Sequence, residues 1–287
     1  MRHYVMEKNN MRIVDTHTHA GINWFEPVEL LIHQMNLNGV EKAVLIQHGR
    51  PQTGGYDHTY LFECMKRFPG RFAVVAIVDV TKPDALDKLE SLAAQGATGI
   101  RLNPGQRSPG DDPLAIWRKA DELGLVVSSM GGVADTSSDE LSDLVAQFPN
   151  LPIVIEHFAG GGEGAAFPVN GPGPQAPYTA YKKALELAKY PNTYMKLHGM
   201  GELSRRPEVL NARYGFDFYD AIPPLVELAL EAFGPQGLMW GSDYPPVSQR
   251  EGYRNAMLGI LDHPALSTQV DREWVMSRTA LSVFNFE

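Results

Sequence analysis

The chain has 287 residues, of which 44% are hydrophobic and 21% are charged, and its formal net charge at pH 7 is −9. Such a composition is typical of a globular protein with a large core, and the length suits two average domains or one large α/β barrel. The negative charge, without a local cluster of basic residues, argues against a nucleic-acid or anionic-membrane surface. An anionic substrate would therefore need dedicated arginines in its pocket.

The cysteine content and the first residues bear on cellular location. Cys64 is the single cysteine, which excludes an internal disulfide and a cysteine-rich zinc module and fits a reducing compartment. It lies in a helical pattern, so we expect a buried thiol and not a nucleophile. Residues 1–10 lack the apolar core of a signal peptide, and no apolar run reaches the roughly 20 residues of a membrane span. We expect a soluble, cytoplasmic protein.

Short apolar segments alternate with helical patterns along the whole chain. The predicted strands are 13–21, 42–49, 71–79, 99–105, 125–130, 152–157, 192–198 and 238–243. The predicted helices are 27–35 (with Asn38-Gly39 as a stop signal), 60–68, 83–95, 113–123, 139–148, 178–188, 221–233, 252–261 and 272–284. Strands that alternate with helices pair in parallel, so we predict an α/β fold, a single (β/α)8 TIM barrel forming one domain over residues 1–287.

The first predicted strand ends in the triplet His17-Thr18-His19. Alternate side chains of a strand share one face, so the two histidines point the same way, roughly 7 Å apart at their Cα atoms. Two imidazoles at the carboxyl end of a strand can form half of a divalent-metal site or a paired proton-handling site. The alternative is that they are ordinary polar residues where the strand meets its loop.

Titratable side chains also stand at the carboxyl ends of the other predicted strands. The full set is His17, His19, His48, Arg101, Glu156, His157, Lys196, His198 and Asp243. A buried ring of such groups is costly unless they pair with each other, with a metal or with a substrate. Because the active sites of barrels lie at this face, the set predicts a functional site.

Structural alternatives exist for several of these residues. Neighbours on a strand alternate, so Glu156 is expected to face away from His157 and to form a salt bridge with a helix. Lys196 suits a site residue or an ion pair within the barrel equally well, and His48 and His198 could be loop residues. Asp15 lies one position off the histidine face, where a structural hydrogen bond is expected.

Two long connections follow predicted strands at the same face. Residues 158–177 are rich in glycine and proline, and residues 199–220 carry Arg205 and Arg206. Long loops in a compact barrel are usually functional, so we expect lids over the site; a dimer contact is the alternative.

Three segments together resemble a known family. Val14-Asp15-Thr16-His17-Thr18-His19, Ile155-Glu156-His157 and Trp240-Gly241-Ser242-Asp243-Tyr244-Pro245 are similar to the first-, sixth- and eighth-strand motifs of the amidohydrolase superfamily. The closest branch is the amidohydrolase-2 group, which contains decarboxylases, hydratases and lactonases.

Departures from the family pattern indicate the branch. Metal-dependent decarboxylases of this group carry a histidine at the end of the fifth strand, where this chain has Ser128 and Ser129. Two-metal members use a lysine on the fourth strand, where this chain has Arg101. A binuclear centre is therefore not expected, and a mononuclear one lacks a usual ligand. The pattern is closer to lactonases that resemble 2-pyrone-4,6-dicarboxylate lactonase, some of which work without a metal.

The resemblance implies a role for each site residue. Asp243 would act as general base on water, while His17, His19 and His157 polarise the carbonyl, either as hydrogen-bond donors or, together with Asp243, as ligands of one Zn²⁺ or Mn²⁺. The residues expected to bind substrate are Arg101 and Arg107, which would clamp a carboxylate, with His48, Lys196, His198 and Tyr244. Arg205 or Arg206 would add a third contact to the carboxylate.

The expected function is hydrolysis of a carboxylated lactone or similar cyclic ester, with a small anionic molecule as substrate. The alternative is a metal-dependent decarboxylase or hydratase of a carboxylated aromatic or muconate-like compound. A third possibility, a barrel that has lost catalysis and only binds, is opposed by the intact His17-Thr18-His19 triplet and Asp243. A homodimer is expected only as a general prior.

Overall fold

The computed structural model of the chain describes residues 11–22, 26–48, 56–160, 174–203 and 223–287. Its centre is one eight-stranded sheet in which every strand pairs in parallel with the next along the chain. The strands β1 to β8 are Val14–Thr18, Lys42–Ile46, Phe72–Ala76, Ala97–Leu102, Val126–Ser129, Ile153–Ile155, Thr193–Leu197 and Leu238–Trp240.

Helices connect the strands and surround the sheet. The helices α1 to α11 are Val28–Asn38, Thr59–Arg67, Ala85–Ala94, Ala115–Glu122, Val133–Thr136, Asp139–Gln147, Thr179–Leu185, Leu225–Phe233, Tyr253–Leu261, Gln269–Glu273 and Thr279–Val283. A π-helical turn, Trp274–Arg278, joins the last two. The helix α1 shows why the sequence prediction worked: Val28, Leu31 and Met35 form one buried face, and Gly39 ends the helix at φ 70°.

The first and last strands close the cylinder through individual hydrogen bonds. The amide of Asp243 donates to the carbonyl of His17 (2.9 Å), and the amide of His19 donates to the carbonyl of Tyr244 (2.8 Å). Between Asp15 and Thr18 the register of β1 against β2 shifts. The predicted (β/α)8 barrel is confirmed.

The hydrophobic core has two layers. The outer layer lies between the strands and the helices and includes Leu31, Leu45, Val74, Leu89 and Trp117. The inner layer lies within the barrel and contains Val14, Val44, Ile46, Ala73, Val75, Val126, Val154, Met239, Ala280, Phe284 and Phe286. Phe286 lies beside Lys42 and Gly70, near the amino ends of β2 and β3, so the C-terminal segment closes the amino end of the barrel. Polar side chains inside the barrel, such as Ser128 and Glu156, lie at its carboxyl end.

Two helices at the surface differ from the predictions. The C-terminal helical segment begins at Gln269 and not at residue 272, because Thr268 and Asp271 form a capping box that a search for that motif would have found. The single-turn helix Val133–Thr136 was not predicted. Its four residues are too few to show a helical period in the sequence.

Parts of the two predicted lids, residues 161–173 and 204–222, lie outside the described residues, as do Arg205 and Arg206. Within the described part of the chain, every helix is too short or too polar to cross a bilayer. The homodimer, the cytoplasmic location and the single-domain organisation stay predictions.

Candidate active site

His17 and His19 lie side by side at the carboxyl end of the barrel. Their side chains are buried, and their ring centroids are 5.0 Å apart. The Nδ1 atom of His19 lies 2.8 Å from the carbonyl oxygen of Ile46. Because a carbonyl only accepts, Nδ1 of His19 carries the proton in the neutral ring, and the lone pair is on Nε2.

Asp243 faces both histidines across the closing edge of the barrel. Its Oδ1 atom lies 3.8 Å from Nε2 of His17 and 3.7 Å from Nε2 of His19. The residue has a left-handed backbone (φ 59°), which is uncommon outside glycine and is typical of strained positions at functional sites. The Nε2 atoms of both histidines therefore lie close to the same carboxylate oxygen.

Arg250 holds the other oxygen of the same carboxylate. Its Nη1 atom donates to Oδ2 of Asp243 at 3.0 Å, and its Nε atom lies 3.6 Å from the buried carboxylate of Glu251. Glu251 packs against Gly199 and Gly201 after β7, where a Cβ atom would collide with its carboxylate. The sequence analysis missed Arg250. Its signal was an adjacent Arg-Glu pair in the connection after the eighth strand.

Glu156 lies inside the barrel, so the expectation that it faces a helix is wrong. Its carboxylate accepts from Nε and Nη2 of Arg101 (3.1 and 2.7 Å to Oε2) and from the hydroxyl of Ser128 (2.6 Å). The reason is the alternation itself: Val154 belongs to the inner layer, and Glu156 is two positions further on the same face.

Lys196 is the third member of this buried charge group. Its Nζ atom donates to Oγ of Ser128 (2.9 Å) and lies 3.8 Å from Glu156 and 3.5 Å from Nδ1 of His17. Burial lowers the pKa of Lys196 to about 8, although Glu156 opposes the shift. Burial alone would raise the pKa of Glu156, but Arg101 and Lys196 hold it well below its usual value. Burial, with Lys196 and the neighbouring histidines, lowers the pKa of His17, so this ring is neutral at pH 7.

His157 joins the group through an unusual turn. It begins a run of residues with left-handed backbone angles that continues through Phe158, Ala159 and Gly160 (φ 50°, 51°, 54° and 67°). The turn brings the His157 ring to 4.9 Å from that of His17 and 3.9 Å from that of His198, measured between centroids. His198, from the end of β7, is fully buried, with its ring 4.5 Å from that of His17.

The remaining predicted residues lie around this centre. His48 is exposed, and its ring is 5.3 Å from that of His19. Tyr244 is buried and its hydroxyl donates to the carboxylate of Glu26. Asp15, as expected, makes structural hydrogen bonds, accepting from the amides of Ser242 (2.8 Å) and His17 (3.2 Å).

Arg107 is engaged by groups of its own loop and of α6. Its guanidinium donates to the carbonyls of Pro104 and Gln106, both at 2.8 Å, and to the carboxylate of Glu140 on α6. Its predicted role in binding a substrate carboxylate stays a prediction.

Among the residues that the structure describes, two groups have donor atoms close enough to hold a metal ion. One is His17, His19 and Asp243, and the other is His17, His157 and His198; within each group the candidate atoms lie within 4.8 Å of one another. The four ligands expected from the sequence are thus divided between two groups that share His17.

The chain is similar in sequence to known proteins. A sequence profile of a family described as amidohydrolase (Amidohydro_2) matches residues 23–286. The L-fucono-1,5-lactonase of Burkholderia ambifaria is 28% identical over 226 residues, which are 75% of this chain and 68% of that protein. The 4-sulfomuconolactone hydrolase of Rhizobium radiobacter is 26% identical over 224 residues, 76% of this chain and 66% of that protein.

A solved structure has the same architecture. An amidohydrolase from Burkholderia multivorans, determined with bound zinc, superposes with a TM-score of 0.71 at 17% identity and covers 96% of this chain and 99% of that one. At this identity the likeness establishes the fold.

Proposed function

This chain belongs to the amidohydrolase family and is a hydrolase, and from that premise we propose that it opens a carboxylated lactone or a similar cyclic ester by general-base activation of water. The matched lactonase and muconolactone hydrolase support a cyclic ester as substrate. The muconolactone hydrolase acts on a sulfonated lactone, which supports a negatively charged one.

The observation that carries the proposal is the position of the Asp243 carboxylate. Its Oδ1 atom faces the His17 and His19 rings, while Arg250 holds Oδ2. A carboxylate fixed by one oxygen can present the other to a water molecule in a defined direction. Asp243 accepts a proton from that water as the water oxygen bonds to the lactone carbonyl carbon. It returns the proton to the ring oxygen when the ester C–O bond breaks, which leaves a hydroxy acid.

The carbonyl oxygen gains negative charge in this step and needs a positive or donating group. His17 is buried and neutral, so its N–H can donate to that oxygen, and His157, whose ring centroid lies 4.9 Å from that of His17, can donate as well. These rings stabilise the developing charge without transferring a proton.

A divalent metal would serve the same purpose, and the residues fit one. The lone pair on Nε2 of His19 faces a carboxylate oxygen at 3.7 Å, and Nε2 of His17 is buried without a hydrogen bond among the described residues. Two acceptors that face each other are stabilised by a cation between them. His17, His19, His157 and Asp243 are the proposed ligands. When bound, Zn²⁺ or Mn²⁺ would act as a Lewis acid on the carbonyl and lower the pKa of water.

We assign the substrate carboxylate to Arg101. Glu156 bonds to its Nε and Nη2 atoms, so Nη1 is the part of the guanidinium that a substrate would meet. In this proposal His48, which is exposed beside His19, contacts the distal part of the substrate. The hydrogen bonds between Arg101 and Glu156 also fix the orientation of the guanidinium before the substrate binds.

The test is turnover of a panel of carboxylated lactones by the wild type and by Asp243→Asn. We expect ring-opened hydroxy acid, detected as a gain of one water by mass spectrometry, and loss of at least about a hundredfold in kcat for the variant. Matched lactones without the carboxylate should react with a higher KM. Retained turnover in Asp243→Asn, in a folded protein, would remove this residue as the base.

A decarboxylase would instead release carbon dioxide from a carboxylated aromatic acid. The carboxyl end of β5 carries Ser128, which is engaged by Glu156 and Lys196, so this strand offers no imidazole to a metal. Carbon dioxide release without ring opening would favour that alternative.

A further inference from the structure

Glu251 has a buried carboxylate that the proposed mechanism does not use. Its side chain is 3% exposed, and its Oε2 atom lies 3.6 Å from Nε of Arg250. Arg250 in turn donates from Nη1 to Oδ2 of Asp243 at 3.0 Å. A carboxylate that has lost its hydration is stabilised by a neighbouring cation, and Arg250 is such a neighbour. Glu251 is therefore one contact removed from the proposed base.

The backbone after Asp243 fixes the main-chain positions of Arg250 and Glu251. The amide of Val247 donates to the carbonyl of Asp243 at 2.9 Å. The amides of Arg250 and Gly252 both donate to the carbonyl of Val247, at 3.0 and 2.9 Å. These bonds hold the main chain of the connection against the base. The direction of the Arg250 guanidinium then depends on the rotation of a long side chain, which has many rotamers unless its end is held.

The Glu251 carboxylate fills the space beside two glycines that follow β7. A Cβ atom on Gly199 would lie 1.6 Å from Oε1 of Glu251, and one on Gly201 would lie 1.9 Å from Oε2. These distances are far inside van der Waals contact, so neither position can carry a side chain while Glu251 stays in place. Neither glycine has a positive φ. The close approach of Glu251, and not an unusual backbone angle, is therefore what requires glycine at both positions.

A guanidinium group is planar and rigid, so its Nε and Nη1 atoms move together. A carboxylate held beside Nε limits the rotation that would carry Nη1 of Arg250 away from Asp243. We propose that Glu251 is a positioning residue, which acts through Arg250 on the direction of the Asp243 carboxylate and is itself held by its packing against Gly199 and Gly201. This inference rests on the proposed function, in which Asp243 is the general base. It links the connection after β7 to the base in the connection after β8.

Glu251→Gln tests the charge, because glutamine has nearly the same shape and can keep the packing against the glycines. We expect kcat on a carboxylated lactone to fall about 5- to 20-fold with KM nearly unchanged, since a misdirected base slows the reaction without weakening substrate binding. In the Arg250→Ala background the same change should have almost no further effect on kcat, because the residue through which Glu251 acts is missing. Independent, multiplying effects would contradict the proposal. The matched control is Glu41→Gln, which removes an exposed ion pair with Arg12.

Gly201→Ala tests the position of the carboxylate without removing a charge. The added methyl group collides with Glu251, so kcat should fall by a factor similar to that for Glu251→Gln. A crystal structure of Gly201→Ala should show Nη1 of Arg250 farther than about 3.5 Å from Oδ2 of Asp243, which is beyond hydrogen-bond distance. The matched control is Gly259→Ala on α9, where a Cβ atom would make an ordinary contact at 3.5 Å.

The two measurements separate this inference from the proposed function. Full kcat in Glu251→Gln, while Asp243→Asn is inactive, would overturn the positioning role and leave the proposed function intact. Turnover retained by Asp243→Asn, or no lactone turned over by the wild type, would overturn the proposed function. The crystal structure of Gly201→Ala would still decide whether Glu251 sets the position of Arg250, and an unmoved guanidinium would overturn that role. Circular dichroism establishes folding, and Glu251→Gln decides the matter if Gly201→Ala does not fold.

Discussion

The two ends of the barrel interior are built from the same strands but from opposite kinds of side chain. At the amino end, Val126 and Val154 pack with Phe284 and Phe286 from the C-terminal segment. Two positions further along the same strands and on the same face stand Ser128 and Glu156, which bond to each other. On each of these strands, two residues therefore separate the apolar cluster, which excludes water, from the site, which contains charged side chains.

This difference indicates how stability is distributed. The apolar end gains free energy from buried area, roughly 1.5–3 kcal/mol for each large side chain. The polar end gains little net free energy from its ion pairs, because each buried charge must first lose its water. A charged side chain at this end destabilises the folded state if its partner is removed. The polar end should therefore be sensitive to loss of one partner, and the apolar end to loss of volume.

The largest effect on stability is expected from Glu156→Gln. This change leaves Arg101 and Lys196 buried without their shared negative charge, so the free energy of unfolding should fall by about 3–5 kcal/mol. Urea denaturation followed by circular dichroism measures it. The matched control is Glu29→Gln, which removes an exposed ion pair with Arg67 and should cost less than about 1 kcal/mol. Equal effects of the two changes would contradict the distinction between buried and exposed charge.

The next effect tests the apolar end. Phe284→Ala should lower the free energy of unfolding by about 3 kcal/mol through the cavity it leaves. Turnover of the folded variant below its melting temperature should stay near the wild-type value, because the change lies beneath the charge group. A large loss of kcat in fully folded Phe284→Ala would show that the apolar end and the site are coupled through Lys196, whose Nζ lies 5.9 Å from the centroid of the Phe284 ring.

A smaller effect, on rate, is expected from Arg250. Arg250→Ala frees Oδ2 of Asp243, so the carboxylate loses its fixed direction and kcat should fall about 10- to 100-fold with little change in KM. Arg250→Lys should restore part of the rate, because an ammonium can still donate to Oδ2. The control is Arg118→Ala, which removes an exposed ion pair with Asp112. A change in KM alone would assign Arg250 to substrate binding and not to positioning of the base.

The smallest effect concerns Cys64 in the outer layer. Burial raises the pKa of the Cys64 thiol to about 11, so at pH 8 the folded protein holds roughly a hundredfold less thiolate than an exposed cysteine. Labelling with a thiol reagent should therefore be slow in the native protein and fast after denaturation. Rapid labelling of the native protein would contradict the buried position.

The sequence by itself determined the order of strands and helices and most of the residues at the mouth. Short continuous apolar segments, stop signals such as Asn38-Gly39 and polar residues at strand ends are all features of neighbouring residues, so they can be read directly from the sequence. The family match over residues 23–286 confirms the resemblance inferred from three short motifs.

Only the tertiary structure decided how those residues pair. Glu156 follows strand alternation into the barrel, and His157 also reaches the interior because a left-handed turn begins at that residue. Arg250 folds back onto Asp243 within the same connection, and His198 meets His157 from a different strand. Local periodicity specifies which face a side chain occupies within an element. The partner across the barrel depends on backbone turns and closure distances, which exist only once the cylinder has formed.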